Sequence, residues 1–251
     1  MSLRKTEAIV LKSLRFRETS KILTLYTRAF GKMKVIAKGA RSAKSRFGGS
    51  LELLNYISVV FYEKETRDLQ LLSQADIIQS FPAIKHNLEK TAIAMAAGEL
   101  LERLEVGVSP NSRMFKLLLE VLNGIDNAQA RPMHCFQAFQ VRLLSLSGLA
   151  PELKKCMRCQ KSSPNEVLID IAHGGFLCTK CRQATSPGMI LSPETLHVLR
   201  SFQRSPIAKL NGLSLSAGDE RQVAEFLAAY LKYHFDELRE LKSLAFLKKI
   251  K

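Results

Sequence analysis

From residue 5 to residue 75 the apolar positions recur with a period close to two, the spacing that sends alternate side chains to opposite faces of a strand. Segments 6–14, 20–28, 32–38, 51–62 and 69–75 are rich in β-branched and aromatic residues and read as strands. Ala29-Phe30-Gly31 links the second and third strands tightly, with Gly31 free to take a positive φ. A long connection, 39–50, joins the third to the fourth. Five short strands in this span predict a small closed barrel. An OB-type barrel is the natural five-stranded form, and an SH3-like barrel fits the composition nearly as well.

Near Phe81-Pro82 the period lengthens to that of a helix. Segment 88–106 places Ile93, Ala96, Ala97, Leu100, Leu101 and Leu104 on one stripe. Ser109-Pro110 is a break, and helical spacing resumes over 111–122. A third helix, 132–146, starts on Pro132 and stops before Gly148 and Pro151. Ser192-Pro193 opens another, running to about Arg204. Ser216 and Asp219 form a capping box for a helix over 220–241, with Val223, Phe226, Leu227, Tyr230, Leu231 and Phe235 on its apolar stripe. The final LKKIK reads as a frayed basic tail. The predicted fold class is α+β and multidomain: a five-stranded OB-type β-barrel (1–80), then an all-α domain (81–251) interrupted by a four-cysteine insert (152–190).

Charge adds a location to this outline. The chain of 251 residues carries a formal +15, and residues 1–80 hold 15 basic and 7 acidic residues, about half of the excess. Within them, 31–50 contains Lys32, Lys34, Lys38, Arg41, Lys44 and Arg46 and no acid, and the acid-free window extends over 19–51 to include Lys21 and Arg28. Uncompensated like charges repel, so such a window is either a solvated loop or a surface for a polyanion. No apolar run nears the roughly 18–20 residues of a membrane span, and the start does not read as a signal peptide, so a cytoplasmic location without membrane attachment is expected.

Cys156-x2-Cys159 and Cys178-x2-Cys181 lie 18 residues apart, the spacing of a four-cysteine zinc site. Each C-x-x-C turn presents two thiolates along one edge of a tetrahedron, and the stretch between folds back as a hairpin around Gly174-Gly175. A closed four-thiolate site has no open position, so structural Zn2+ is the expected cofactor. His173 could replace one ligand; Cys135 reads as core. There is no G-x-x-x-x-G-K-[ST], no H-E-x-x-H and no G-x-S-x-G, and the acids do not group as in a metal nuclease. The sequence therefore predicts a protein that is not an enzyme and uses no nucleotide.

Glu7-Ala-Ile-Val-Leu-Lys12, Glu18-Thr19 followed by Ile22-Leu23-Thr24-Leu25, Gly31-Lys32, Ala37-Lys-Gly-Ala-Arg41 and Ser45-Arg-Phe-Gly48 together resemble the bacterial RecO recombination-mediator family. The likeness continues through Leu146-Ser-Gly-Leu-Ala-Pro151 and the paired cysteines and covers the chain in the same domain order. One departure is Gln160, where many members have glycine. The resemblance implies a nucleoid-associated DNA repair protein that binds single- and double-stranded DNA and anneals complementary strands. It implies partnership with RecR and contact with the acidic C-terminal tail of single-strand-binding protein, so that RecA can load. It also implies that zinc supports the fold rather than the activity.

On that reading Lys32, Lys34, Lys38, Arg41, Lys44 and Arg46 track phosphates, with Arg15 and Arg17 as a second cationic pair in the first turn. Phe47 is either a stacking face for a base or a loop anchor. Arg103, Arg113, Arg131 and Arg142 are candidates for the acidic-tail contact. The alternative from another class is a zinc-ribbon RNA-binding or transcription-associated protein, separable by a preference for RNA.

Overall fold

The computed structural model describes residues 2–104, 110–127, 131–183, 188–235 and 240–250. Strands β1 (Ser2–Phe16), β2 (Ser20–Thr27), β3 (Gly31–Ala37), β4 (Tyr56–Glu63) and β5 (Leu69–Gln79) close into a barrel in the order β1-β2-β3-β5-β4. Closure depends on the length of β1. Its first half pairs with β4 from Ser2 to Ile9 and its second half with β2 from Ala8 to Phe16, across an irregularity between Val10 and Lys12. A bulge of this kind bends a strand and increases its twist, so one strand serves both sides of the barrel. The parallel β3–β5 pairing, Lys34 to Ile36 against Leu69 to Leu71, completes the OB-type topology.

Gly31 takes φ 63, as the tight link requires. The fourth strand starts later than expected, at Tyr56. Leu51–Leu54 instead forms a turn in which Leu51 and Leu54 are buried, Glu52 and Leu53 face solvent, and Leu54 takes φ 65. Four residues with two outward positions together cannot alternate as a strand does, and the apolar run had concealed this.

The chain packs as two compact units, residues 1–126 with 241–251, and residues 127–240. In the first, a short helix α1 (Pro82–Lys85) precedes α2 (Leu88–Leu104) and α3 (Ser112–Asn127). The expected stripe on α2 is buried at Ile93, Ala96, Ala97, Leu100 and Leu101, whereas Glu105, Val106 and Ser109 lie outside the described residues. The second unit holds α4 (Pro132–Leu146), strands β6 (Glu152–Cys156), β7 (Val167–Asp170), β8 (Gly175–Cys178) and β9 (Met189–Leu191), then α5 (Pro193–Arg204) and α6 (Ala217–His234). Pro132 and Pro193 both open their helices, and Ser192 and Ser216 accept the expected capping bonds from the amides of Thr195 and Asp219. Cys135 is fully buried on α4, as core.

The C-terminal tail is a correction. Rather than fraying, it forms a helix, α7 (Lys242–Ile250), that returns to α2 with Leu241 and Leu247 buried. Glu99 of α2 accepts the amide hydrogens of Lys242 and Ser243 at 3.0 and 3.2 Å and the Ser243 hydroxyl at 3.1 Å, capping α7 from a neighbouring helix. Burial pushes the Glu99 carboxyl up. The two amides, the hydroxyl and the Arg103 guanidinium outweigh it and hold the group below the usual carboxylate range. The cap is thus fully present above the unfolded carboxylate value of about 4.3 and is lost as pH falls through the lower folded value. Glu99→Ala should cost about 1 kcal/mol. It should also accelerate amide exchange across α7 while the barrel strands keep their protection; unchanged exchange at Lys242 and Ser243 contradicts the cap.

Candidate nucleic-acid interface and metal centre

The long connection after β3 is a built element. Phe47 and Leu51 insert into the barrel cluster beside Ala8, Leu23, Val35, Ile57 and Phe61. Buried Asn55 donates to the carbonyls of Gly49 and Ser50, and the Ser50 hydroxyl donates to that of Phe47 at 2.6 Å. These bonds satisfy the backbone of a segment that is neither strand nor helix. Phe47 is only 3% exposed, so it is the anchor and not a stacking face: a ring sealed in the core offers no plane to a base. Arg46 lies over it, 5.1 Å from the ring centroid.

The cations divide by what they touch. Lys32 is half-buried and donates to the carbonyl of Glu102 at 3.0 Å, in the last turn of α2, where a cation complements the helix dipole. This takes Lys32 out of the exposed series. Arg41 donates to the carbonyls of Arg17 and Glu18 at 3.2 and 3.0 Å, and its own amide donates to Thr19 at 2.8 Å. It therefore ties the β1–β2 turn to the loop after β3. Lys34 is exposed on the outer face of β3, in a concavity that Arg67, Glu65 and Asp68 also line.

Arg15, Arg17, Lys38, Lys44 and Arg46 are exposed, and no ion pair among the described residues involves them. Elsewhere on the barrel Arg4 and Arg28 are paired, with Glu63 and Glu7. The turn and the loop, held together by Arg41, thus form one cationic rim in which these five basic side chains outnumber the exposed carboxylate of Glu18. The register adds Lys21, which lies directly opposite Arg15. Two like charges face to face destabilise a sheet, and only pairing could have revealed them. The same turn exposes part of Phe16, whose ring lies 5.3 Å from the Arg17 guanidinium carbon.

Among the four arginines considered for an acidic tail, three are already engaged. Arg103 pairs with Glu99, Arg131 with Glu220, and Arg142 donates to the carbonyls of Phe202 and Ser205. Arg113 is exposed on α3.

In the second unit, β6–β9 form a four-stranded sheet in the order β6-β8-β7-β9, which brings both C-x-x-C turns to one end. Gly174 turns the β7–β8 hairpin at φ 69, and a Cβ there would lie 2.8 Å from the Tyr230 hydroxyl of α6. His234 of the same helix meets the carbonyl of Ile171 at 3.1 Å. The Sγ atoms of Cys156, Cys159, Cys178 and Cys181 all lie within 4.8 Å of one another. A regular tetrahedron with Zn–S bonds of about 2.3 Å has sulfurs about 3.8 Å apart, and Cys159 and Cys178 are 3.8 Å apart. His173 instead pairs with Asp170 at 2.9 Å.

The donor chemistry also fits a metal. Burial pushes the Cys156 thiol up, but amides of Cys159, Cys178 and Arg158 aimed at the sulfur bring it down to about 6. The Cys178 amide is 3.4 Å away. At Cys181, burial and the neighbouring sulfurs push the thiol up to about 12. One sulfur is set to ionise first, and a bound cation would ionise the rest. Four cysteines held this way can bind a metal ion.

Gln160 follows the first pair with φ 59, its amide donating to Cys156 at 2.9 Å. A side chain in that left-handed conformation costs about 1 kcal/mol relative to glycine. Gln160→Gly should accordingly stabilise the folded protein by up to about 1 kcal/mol in chemical denaturation; a loss of stability contradicts the strain.

Fold and site together define a class: an OB-type barrel with a cationic rim, joined to helices that carry a four-cysteine module. Residues 1–81 match the family model described as recombination protein O N terminal, and residues 85–245 match recombination protein O C terminal. The chain is 32% identical to DNA repair protein RecO of Desulfatibacillum aliphaticivorans, over 98% of this chain and 96% of that protein. RecO of Pelotomaculum thermopropionicum is 31% identical, over 98% and 94%. RecO of Anaeromyxobacter dehalogenans is 32% identical, over 98% and 96%. The chain belongs to the RecO family, which supports a role in DNA repair and recombination. No helix among the described residues is long and apolar enough to cross a membrane.

Proposed function

We propose that the protein is a DNA repair and recombination mediator that binds single- and double-stranded DNA and anneals complementary strands, without bond-making chemistry. The observation that carries this reading is the rim of Arg15, Arg17, Lys38, Lys44 and Arg46, for which no ion pair is found among the described residues, on a barrel where Arg4 and Arg28 are paired with Glu63 and Glu7. Phosphates supply the missing anions, and their neutralisation releases counterions, so affinity falls steeply with salt. Covering the charge of two strands lets complementary bases meet with less repulsion, which needs no ATP.

Membership of the family supports the finer parts of the proposal: action with RecR, contact with the acidic tail of single-strand-binding protein, loading of RecA, and a cytoplasmic, nucleoid-associated setting. Arg113 is the arginine of the four that remains exposed for a tail peptide. The cysteines would hold Zn2+ as a structural ion that fixes both turns.

Binding to single-stranded DNA, duplex DNA and single-stranded RNA of matched sequence, titrated against salt, tests the proposal. The expected result is DNA binding with a steep salt dependence and no gain on RNA. A clear preference for RNA supports the RNA-binding alternative, and salt-independent binding removes the rim from the mechanism.

A further inference from the structure

The concavity beside the β1–β2 turn encloses about 550 Å³ and is lined by Phe16, Arg17, Glu18, Ile36 and Lys38, among others. It combines three chemistries. Phe16 and Ile36 give an apolar floor. The Arg17 guanidinium lies over the Phe16 ring, its carbon 5.3 Å from the ring centroid, so the two planar groups are layered and leave the outer face of the pair for a base. Lys38 brings an exposed ammonium to the rim. Aromatic rings and guanidinium planes are the groups on which nucleobases stack, and a lysine is a point charge for a phosphate.

Arg17 sits at φ 51, a left-handed conformation that costs an arginine free energy and a glycine none. Residues held in sparsely populated backbone regions cluster at binding sites, where the surroundings over-determine them. Here the over-determination is visible: Arg41 grips the carbonyls of both Arg17 and Glu18, so the strained turn is fixed with the Arg17 side chain beside Phe16.

We propose that this concavity is a subsite for one unpaired nucleobase, which stacks on the Phe16–Arg17 pair while Lys38 holds the adjoining phosphate; the proposal rests on the DNA-binding reading above. A base within a duplex has both faces covered by its neighbours and cannot reach the ring, so the subsite distinguishes single-stranded DNA from duplex. Glu18 offers an acceptor to the exocyclic amine of a base. Arg41 is a positioning residue that shapes the site through two backbone carbonyls.

Fluorescence anisotropy on the full-length protein, with single-stranded and duplex DNA of matched length, separates the contributions. Phe16→Ala and Phe16→Leu should each lower affinity for the single strand roughly tenfold, with the salt slope and the duplex affinity unchanged. Lys38→Ala should weaken both and flatten the single-strand slope by about 0.7. Arg17→Gly should raise the melting temperature while lowering single-strand affinity, a combination that a purely structural residue would not give. If both Phe16 variants bind the single strand like the parent while Lys38→Ala weakens binding, the subsite is wrong and the DNA-binding reading stands. Equal losses on single strand and duplex for Phe16→Leu also overturn the subsite. If neither Phe16 nor Lys38 matters, the subsite is wrong, and the salt slope of a variant lacking Arg15, Lys44 and Arg46 as well decides the DNA-binding reading.

Discussion

Replacing Arg15, Lys38, Lys44 and Arg46 with alanine together is expected to lower affinity for single-stranded DNA by about 10²- to 10³-fold near 0.1 M salt. Each phosphate contact on a single strand contributes about 0.7 to the slope of log affinity against log salt, so four contacts remove about 2.8. These side chains are exposed, and no ion pair among the described residues involves them, so their loss leaves no buried charge unpaired. Removing like charges from one rim should leave the melting temperature unchanged or raise it. The paired Arg4 is the control: Arg4→Ala breaks an exposed bond to Glu63 and should leave both affinity and slope near the parent values. Salt titrations that show the same slope in parent and fourfold variant contradict the rim as the phosphate track.

Serine at either Cys156 or Cys159 should be equally damaging. Without a metal the two positions differ sharply, because Cys156 is buried and Cys159 is exposed. An exposed cysteine replaced by serine ordinarily changes stability by less than about 0.5 kcal/mol. As ligands of one structural ion the two are equivalent, since losing either opens a closed tetrahedral site whose binding free energy, about 10–16 kcal/mol in small zinc domains, is coupled to folding. We expect at least about 3 kcal/mol of destabilisation from Cys159→Ser. Metal analysis should find about one zinc per chain in the parent, and chelation should reproduce the mutant melt. A Cys159→Ser protein that melts like the parent contradicts a structural ion.

Period-two alternation was enough to place five strands and a closed barrel, because alternation reports directly which face each residue presents. It misplaced the start of β4 because Leu51 and Leu54 are core residues contributed by a turn. The cysteine cluster was readable from spacing alone, since a chelating turn fixes separation along the chain as well as in space. The cationic rim was only half readable. Charge gave the loop, but composition could not tell that Lys32 serves the end of a helix or that Arg41 holds a turn through carbonyl oxygens. Phe47 and Phe16 show the same limit. Both are aromatic rings beside arginines, and only the packing reveals that the first plugs the barrel while the second faces outward in part. Lys21 emerges from strand register, which no local pattern encodes. The C-terminal helix was missed because its cap, Glu99, lies far away in the chain.

Strand annealing tests the central claim most directly: two complementary fluorescent oligonucleotides are followed by energy transfer, without ATP, with and without single-strand-binding protein. The account predicts that the parent accelerates annealing in both conditions. It also predicts that the fourfold rim variant, folded and with its zinc, does so in neither. Annealing by that variant at the parental rate would contradict it.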